Sequence, residues 1–172
     1  VTKIRKALEG FEALARRFSK AVHLRGDLFR RMVVSGRAEM AQDASEEALR
    51  QLYLRYALTA QAARTYWAAG FTVVVQDNYL GKAFGDFLKL LEGCPVHAVA
   101  LCPSARAVAL REAQRGKKGY VGFDVDGLNR LFMEETPRLG LWLDSTDLTV
   151  EETVEAILCR AEEARLYTNS EY

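Results

Sequence analysis

Four short stretches hold the side chains best suited to chemistry. In HLRGDLFRR, Asp27 follows a strand-like run and is surrounded by Arg25, Arg30 and Arg31. A carboxylate among arginines at a strand end can accept a proton or hold a hydroxyl. It can equally cap the helix that starts near Leu28. In GFTVVVQDNYLG, three consecutive valines lead to Asp77 and Asn78. An apolar run without polar alternation reads as a strand buried on both faces of a parallel sheet, and such sheets bind ligands beyond the carboxyl ends of their strands. Asp77 belongs at that edge, either facing a ligand or capping the following turn. In REAQRGKKGY, Arg111 and Arg115 lie four apart on one helical face before a Gly/Lys loop. Paired guanidinium groups suit a phosphate chain, although cations are also ordinary at helix C-termini. The fourth stretch, LDSTDLT, is a polar turn that closes an apolar strand.

The elements that must position these residues alternate along the chain. Residues 4–18 have a helical stripe of Ile4, Leu8, Phe11, Leu14, Ala15 and Phe18, with the spacing of one buried face. A short strand AVHL, the RGD turn and a short helix follow. Ser45 is placed to cap a helix that runs to about Ala69, with Glu46 and Glu47 in its first turn. Its expected buried face comprises Leu49, Leu52, Tyr53, Tyr56, Ala60, Ala63 and Trp67. The valine strand leads to a helix around residues 84–91, and PVHAVALCP reads as one further strand bounded by prolines. Ser104 can cap a helix that reaches Arg115. The glycines 116, 119 and 122 mark a mobile loop, a candidate lid over residues 116–122. A helix over 125–135, the strand LGLWLD and a last helix complete the pattern. Thr149 and Glu152 form a capping box at the start of that helix, and the polar tail 167–172 is expected to fray. The alternation predicts one α/β domain over 1–172, a three-layer, doubly wound fold with a mainly parallel sheet.

Composition narrows the function. The 172 residues are 49% hydrophobic and 27% charged, enough for one sizeable core. A net charge of +1 gives no field for nonspecific nucleic-acid binding. No apolar run reaches a membrane-spanning length, so no membrane partner is expected and a cytoplasmic location is. Cys94, Cys102 and Cys159 lack metal-site spacing and read as reduced thiols. His23 and His97 sit among strand-like residues and read as structural.

Taken together, AVHLRGDLFRRMVVSGR, GFTVVVQDNYLG, VALCPSARAVALREAQRG and ETPRLGLWLDSTDLTVEETVEAIL resemble the small P-loop kinases typified by chloramphenicol phosphotransferase. Zeta-toxin and the shikimate and gluconate kinases are more distant relatives of that group. The resemblance covers about residues 13–161 and implies phosphoryl transfer from ATP, with magnesium, to a small-molecule hydroxyl. It implies that Asp27 orients or deprotonates the acceptor, and that Asp77 holds magnesium through water. Arg111 and Arg115 would neutralise the transferring group. Lys117, Asp144, Ser145 and Asp147 would border the nucleotide, and Arg25, Arg30, Asn78 and Tyr79 would contact the acceptor.

The chain departs from that pattern at one point. The motif G-x-x-x-x-G-K-[ST], whose backbone amides and lysine cradle phosphates, does not occur. The expectation is therefore a fold with the first strand and P-loop missing from the sequence as given, and an incomplete N-terminus is favoured over genuine loss. A non-catalytic scaffold or binding protein that keeps the kinase fold is the alternative function. Association into a homo-oligomer stays open.

Overall fold

The computed structural model describes residues 10–41, 43–104 and 125–166. Residues 10–15 are helical (α1) and lead into strand β1, Ala21–Arg25. The short helix α2, Asp27–Arg31, follows directly. Helix α3, Glu46–Ala68, crosses back to strand β2, Thr72–Gln76. Then come α4, Lys82–Lys89; β3, Val96–His97; and β4, Val99–Leu101. Helix α5, Val125–Arg130, continues as a π-helical turn, Leu131–Glu135, before β5, Leu141–Leu143. Helices α6, Val150–Cys159, and α7, Ala161–Ala164, precede β6, Arg165–Leu166.

β1 and β2 are parallel, in register from Ala21 opposite Thr72 to Arg25 opposite Gln76. The crossover between them is α3, whose start is fixed as the sequence predicts: the Ser45 side chain accepts from the Ala48 amide. Its end is closed by Gly70 at φ 79°, a left-handed conformation that glycine adopts without a Cβ clash. Tyr56, Ala60 and Ala63 of α3 are buried against Leu24, Val73 and Val75 of the strands. The small side chains at 60 and 63 let the helix axis approach the sheet closely. The expected buried face of α3 needs correction, since Leu49, Tyr53 and Trp67 are 42%, 42% and 45% exposed while Ala48 and Thr59 are buried. A helix lying over a two-stranded ladder covers only a narrow stripe, and here that stripe runs through 56, 59, 60 and 63.

A second parallel ladder joins β4 to β5, Val99 opposite Leu141 through Leu101 opposite Leu143. Leu141 and Leu143 pack with Ile157 of α6 and Ala164, and Leu14 of α1 rests against the same cluster. The predicted capping box is present: Thr149 Oγ1 accepts from the Glu152 amide at 3.1 Å, and Glu152 Oε2 accepts from the Thr149 amide at 2.8 Å. Gly140, before β5, leaves room for the carbonyl of Ala98; a Cβ there would lie 2.3 Å from that oxygen.

Two expectations about the sheet are corrected. PVHAVALCP does not make one strand: β3 pairs antiparallel with β6, and β4 pairs with β5. The break falls at Ala98, whose amide donates to Ala164 O at 2.8 Å while its carbonyl accepts from Leu141 N at 2.9 Å. Its two backbone groups thus serve two different neighbours, and the ladder changes partner there. Nor is there a continuous sheet among the described residues, which form three two-stranded ladders, two of them parallel. No described helix is long and apolar enough to cross a membrane.

Candidate functional site

The carboxyl ends of β1 and β2 lie side by side, because the two strands are parallel and in register. Side chains alternate along a strand. Val73 and Val75 face α3, so Asp77, two residues further on, falls on that same face and is driven under the helix. Its carboxylate is only 4% exposed, and its Oδ2 lies 3.0 Å from Nε of Arg55, itself 11% exposed. The two atoms are in ionic contact without good hydrogen-bond geometry. Asp77 Oδ1 accepts from the Asn78 amide at 2.8 Å, the local turn contact weighed from the sequence. Burial pushes the Asp77 carboxyl upward; the charge of Arg55 and the Asn78 amide oppose this, and the net shift is upward.

Gly26 makes this arrangement sterically allowed. A Cβ at that position would sit 2.1 Å from Asp77 Oδ2 and 3.2 Å from Thr59 Oγ1. Thr59 donates to the carbonyl of Arg55 at 2.8 Å, one turn back along α3.

Asp27 lies in the first turn of α2, where Gly26 is the cap residue and no side chain caps the helix. The alternative of Asp27 as an N-cap is therefore not realised. Its Oδ1 accepts from Arg30 Nε at 3.0 Å and its Oδ2 from Arg31 Nε at 2.7 Å. Partial burial alone would raise the Asp27 carboxyl; the hydrogen bond and charge of Arg30, joined by Arg31, outweigh it and hold the group below the usual carboxylate range. Arg30 also reaches Glu39 Oε2 with Nη1 at 2.5 Å, and Arg37 Nε lies 2.9 Å from the other oxygen of Glu39. Asp27 and Asp77 are close enough for the charge of Asp27 to raise the Asp77 carboxyl further.

The remaining predicted residues divide by location. Asn78 uses its carbonyl to accept from Tyr56 Oη at 3.3 Å. Tyr79 turns into the aromatic core, stacked on Phe87 with ring centroids 4.1 Å apart and 5.0 Å from Tyr56. Burial pushes the Tyr56 phenol up to about 12 and the Tyr79 phenol up as well. Arg25 sits on the opposite face of the β1–β2 ladder, lining an open groove with His23, Glu12 and Arg16. Asp144, Ser145 and Asp147 follow β5, at the carboxyl edge of the other parallel ladder. Asp144 Oδ1 accepts from the Thr146 amide at 2.9 Å and its hydroxyl at 2.6 Å, and these bonds lower its carboxyl. Thr146 Oγ1 in turn accepts from the Ser104 amide at 2.8 Å, tying the ends of β4 and β5 together. Arg111, Arg115, Lys117 and the candidate lid 116–122 lie outside the described residues, as does the tail 167–172.

The structure thus brings Asp27, Arg30 and Asp77 together and adds two residues the sequence reading missed, Gly26 and Arg55. Arg55 had a signal: it occupies a core-facing turn of α3 between Leu52, Tyr56 and Thr59, where only a buried acid opposite would make a guanidinium tolerable. The same pairing bears on magnesium. Asp77 is a single carboxylate enclosed by Arg55, and no three potential ligands from His, Cys, Asp or Glu converge among the described residues. Closed against Arg55, Asp77 is not preset as a direct magnesium ligand; one or two carboxylates with phosphate oxygens and water are the usual donors to that ion.

Comparison with known proteins bears on the family and the fold. Residues 11–135 match the family described as an AAA domain. A crystal structure titled as a "putative kinase" from Chloroflexus aurantiacus J-10-fl superposes with a TM-score of 0.54 at 13% identity, covering 94% of this chain and 92% of that one. Among curated proteins, none matches the sequence.

Proposed function

Since the chain belongs to the AAA-domain family, we propose that it is an ATP-dependent phosphotransferase that moves the γ-phosphoryl group to a hydroxyl of a small molecule. The observation that carries this reading is the pair of acids, Asp27 and Asp77, at the carboxyl ends of two adjacent parallel strands, with Arg30, Arg31 and Arg55 around them. The kinase-like fold of the superposed structure supports it. Strand ends of parallel sheets are where such folds place ligands.

Phosphoryl transfer leaves little covalent work for a protein; positioning and charge do most of it. Asp27 is ionised at neutral pH and held through both oxygens by Arg30 and Arg31. In this reading it orients the acceptor hydroxyl with a remaining lone pair and takes its proton late, when the oxygen has become acidic. Asp77 and Arg55 form the rigid floor beneath it. ATP would supply the phosphoryl group, with its magnesium held by its own phosphate oxygens. The family resemblance would place Arg111 and Arg115 on the transferring group and Lys117 with the turn Asp144, Ser145 and Asp147 beside the nucleotide.

One observation favours a non-catalytic scaffold instead: each of the two acids is already paired with arginine. Phosphorus NMR separates the two readings. The protein is incubated with magnesium and ATP in the presence of a mixture of small hydroxylated metabolites. A new phosphomonoester resonance growing with ADP supports the phosphotransferase. No new resonance with ATP left intact supports the scaffold, whereas ATP hydrolysed by the protein without transfer contradicts both readings.

A further inference from the structure

Strand β1 pairs with β2 along one edge, and its other edge is free among the described residues. At the two ends of the ladder, the Thr72 amide donates to Lys20 O at 2.8 Å and the Gly26 amide donates to Gln76 O at 3.0 Å. Backbone groups alternate sides along a strand, so residues 20, 22, 24 and 26 turn theirs toward β2. The amides and carbonyls of Ala21, His23 and Arg25 point the other way, with no backbone partner among the described residues. The strand has no proline and its register with β2 is unbroken, so two common devices that blunt an edge are missing. Beside the side chains of these three residues runs an open groove of about 540 Å³, bounded by Glu12, Ala15 and Arg16. It lies on the face of the ladder opposite α3 and Asp77. We infer that this edge docks an extended acidic segment of a partner protein, which adds a third strand to the β1–β2 ladder and sets carboxylates against Arg25. The inference stands apart from the phosphotransferase reading.

The charges of the groove select the partner. Glu12 is the acid in its lining, and Arg16 Nη2 already holds that carboxylate at 2.6 Å. His23 Nε2 lies 3.0 Å from Gln76 Oε1. Arg25 makes no ion pair or side-chain hydrogen bond among the described residues, and its guanidinium is the one that a partner carboxylate can take. A second copy of the chain would bring the same cations to the edge, and like charges across a ladder repel, which disfavours pairing of β1 with itself. Residues opposite one another across a ladder share a face. Partner residues opposite His23 and Arg25 are therefore acidic. Those opposite Val22 and Leu24 lie on the other face, where Leu24 packs against the α3 core, and are apolar. The segment that fits alternates acids with β-branched residues, and its backbone pairs with the outward amides and carbonyls of β1.

The probe is fluorescein-labelled Glu-Val-Glu-Val-Glu-Val, titrated with the full chain and followed by anisotropy, with Lys-Val-Lys-Val-Lys-Val as its cationic counterpart. The acidic peptide is expected to bind and the cationic one is not. On binding, amide hydrogen exchange should slow at Ala21, His23 and Arg25, while Val22 and Leu24, already bonded to β2, change little. N-methylation removes amide donors from the peptide. Methylated glutamates should abolish binding of an antiparallel strand, and methylated valines binding of a parallel one. Arg25→Gln should weaken the acidic peptide about tenfold, the scale of one charge-assisted hydrogen bond. Should that variant fail to fold, the methylated peptides and the exchange pattern carry the test on the parent protein. Equal binding of the two peptides, binding indifferent to both methylations, or no binding of the acidic peptide would overturn the inference. A chain that sediments as a dimer, with the three edge amides protected and the peptide excluded, would assign the edge to a second copy and overturn it as well.

Discussion

At the scale of single residues, the two acids have opposite environments and should respond differently to change. Asp77 is sealed with Arg55, and breaking such a pair leaves a buried charge without a counterion. Arg55→Met is expected to cost about 3 kcal/mol or more in urea unfolding, within the range for removing one partner of a buried pair. The double variant Arg55→Met/Asp77→Leu should be more stable than that single one, because no charge is then stranded. A double variant as unstable as the single would show that the pair is not the source of the loss. Asp27 is more open, and its carboxyl is held low by Arg30 and Arg31 against the upward push of partial burial. A depressed carboxylate stabilises the fold fully above its unfolded value, near about 3.9, and loses that contribution as pH falls through the folded value. Urea midpoints of Asp27→Asn measured from pH 7 down to pH 2 should therefore fall less steeply below about pH 4 than those of the parent protein. Parallel profiles would mean that the arginine contacts do not persist in solution. Asp27 and Asp77 were legible in the sequence, because an acid directly after a strand-like run can be placed at a sheet edge. Gly26 was not, and Arg55 showed only in its spacing with Leu52, Tyr56 and Thr59, which does not name its partner. Their importance comes from where α3 crosses β2, a contact between segments that no local pattern encodes.

At the scale of elements, caps and turns were read most accurately, since each depends on a few adjacent residues. Ser45 caps α3, and Thr149 with Glu152 boxes the start of α6. Thr149→Ala removes an acceptor for the Glu152 amide and should cost about 1 kcal/mol in chemical unfolding, the usual loss at an N-cap. Thr149→Ser should recover most of it, and a serine variant no better than alanine would contradict the capping role. The strands were harder to read. Val96 to Leu101 look uniform, yet Ala98 divides them between an antiparallel and a parallel partner. The partner β6 is two residues long and follows a helix directly, so nothing in its sequence announces a strand. The exposed face of α3 was also misjudged, because helical periodicity says that apolar residues share a face but not how much sheet is available to cover it.

At the scale of the whole molecule, each parallel ladder has its own apolar cluster. One gathers Tyr56, Ala60, Ala63, Phe87 and Leu91 beside β1 and β2; the other gathers Leu141, Leu143, Ile157 and Ala164 beside β4 and β5. The paired acids belong to the first ladder, and the turn Asp144–Asp147 to the second. In the proposed phosphotransferase, the acceptor would be held at the first ladder and the nucleotide beside the second. The central claim is that Asp27 acts on the acceptor hydroxyl. Its most direct test is the rate at which radiolabelled γ-phosphate from ATP appears on a small-molecule alcohol, compared between the parent protein and Asp27→Asn. The substitution preserves size and removes the basic oxygen, so the rate should drop by about 10²-fold or more, the range for a positioned base, with ATP affinity unchanged. An Asp27→Asn variant that transfers phosphate as fast as the parent, or a parent protein that transfers none, would contradict it.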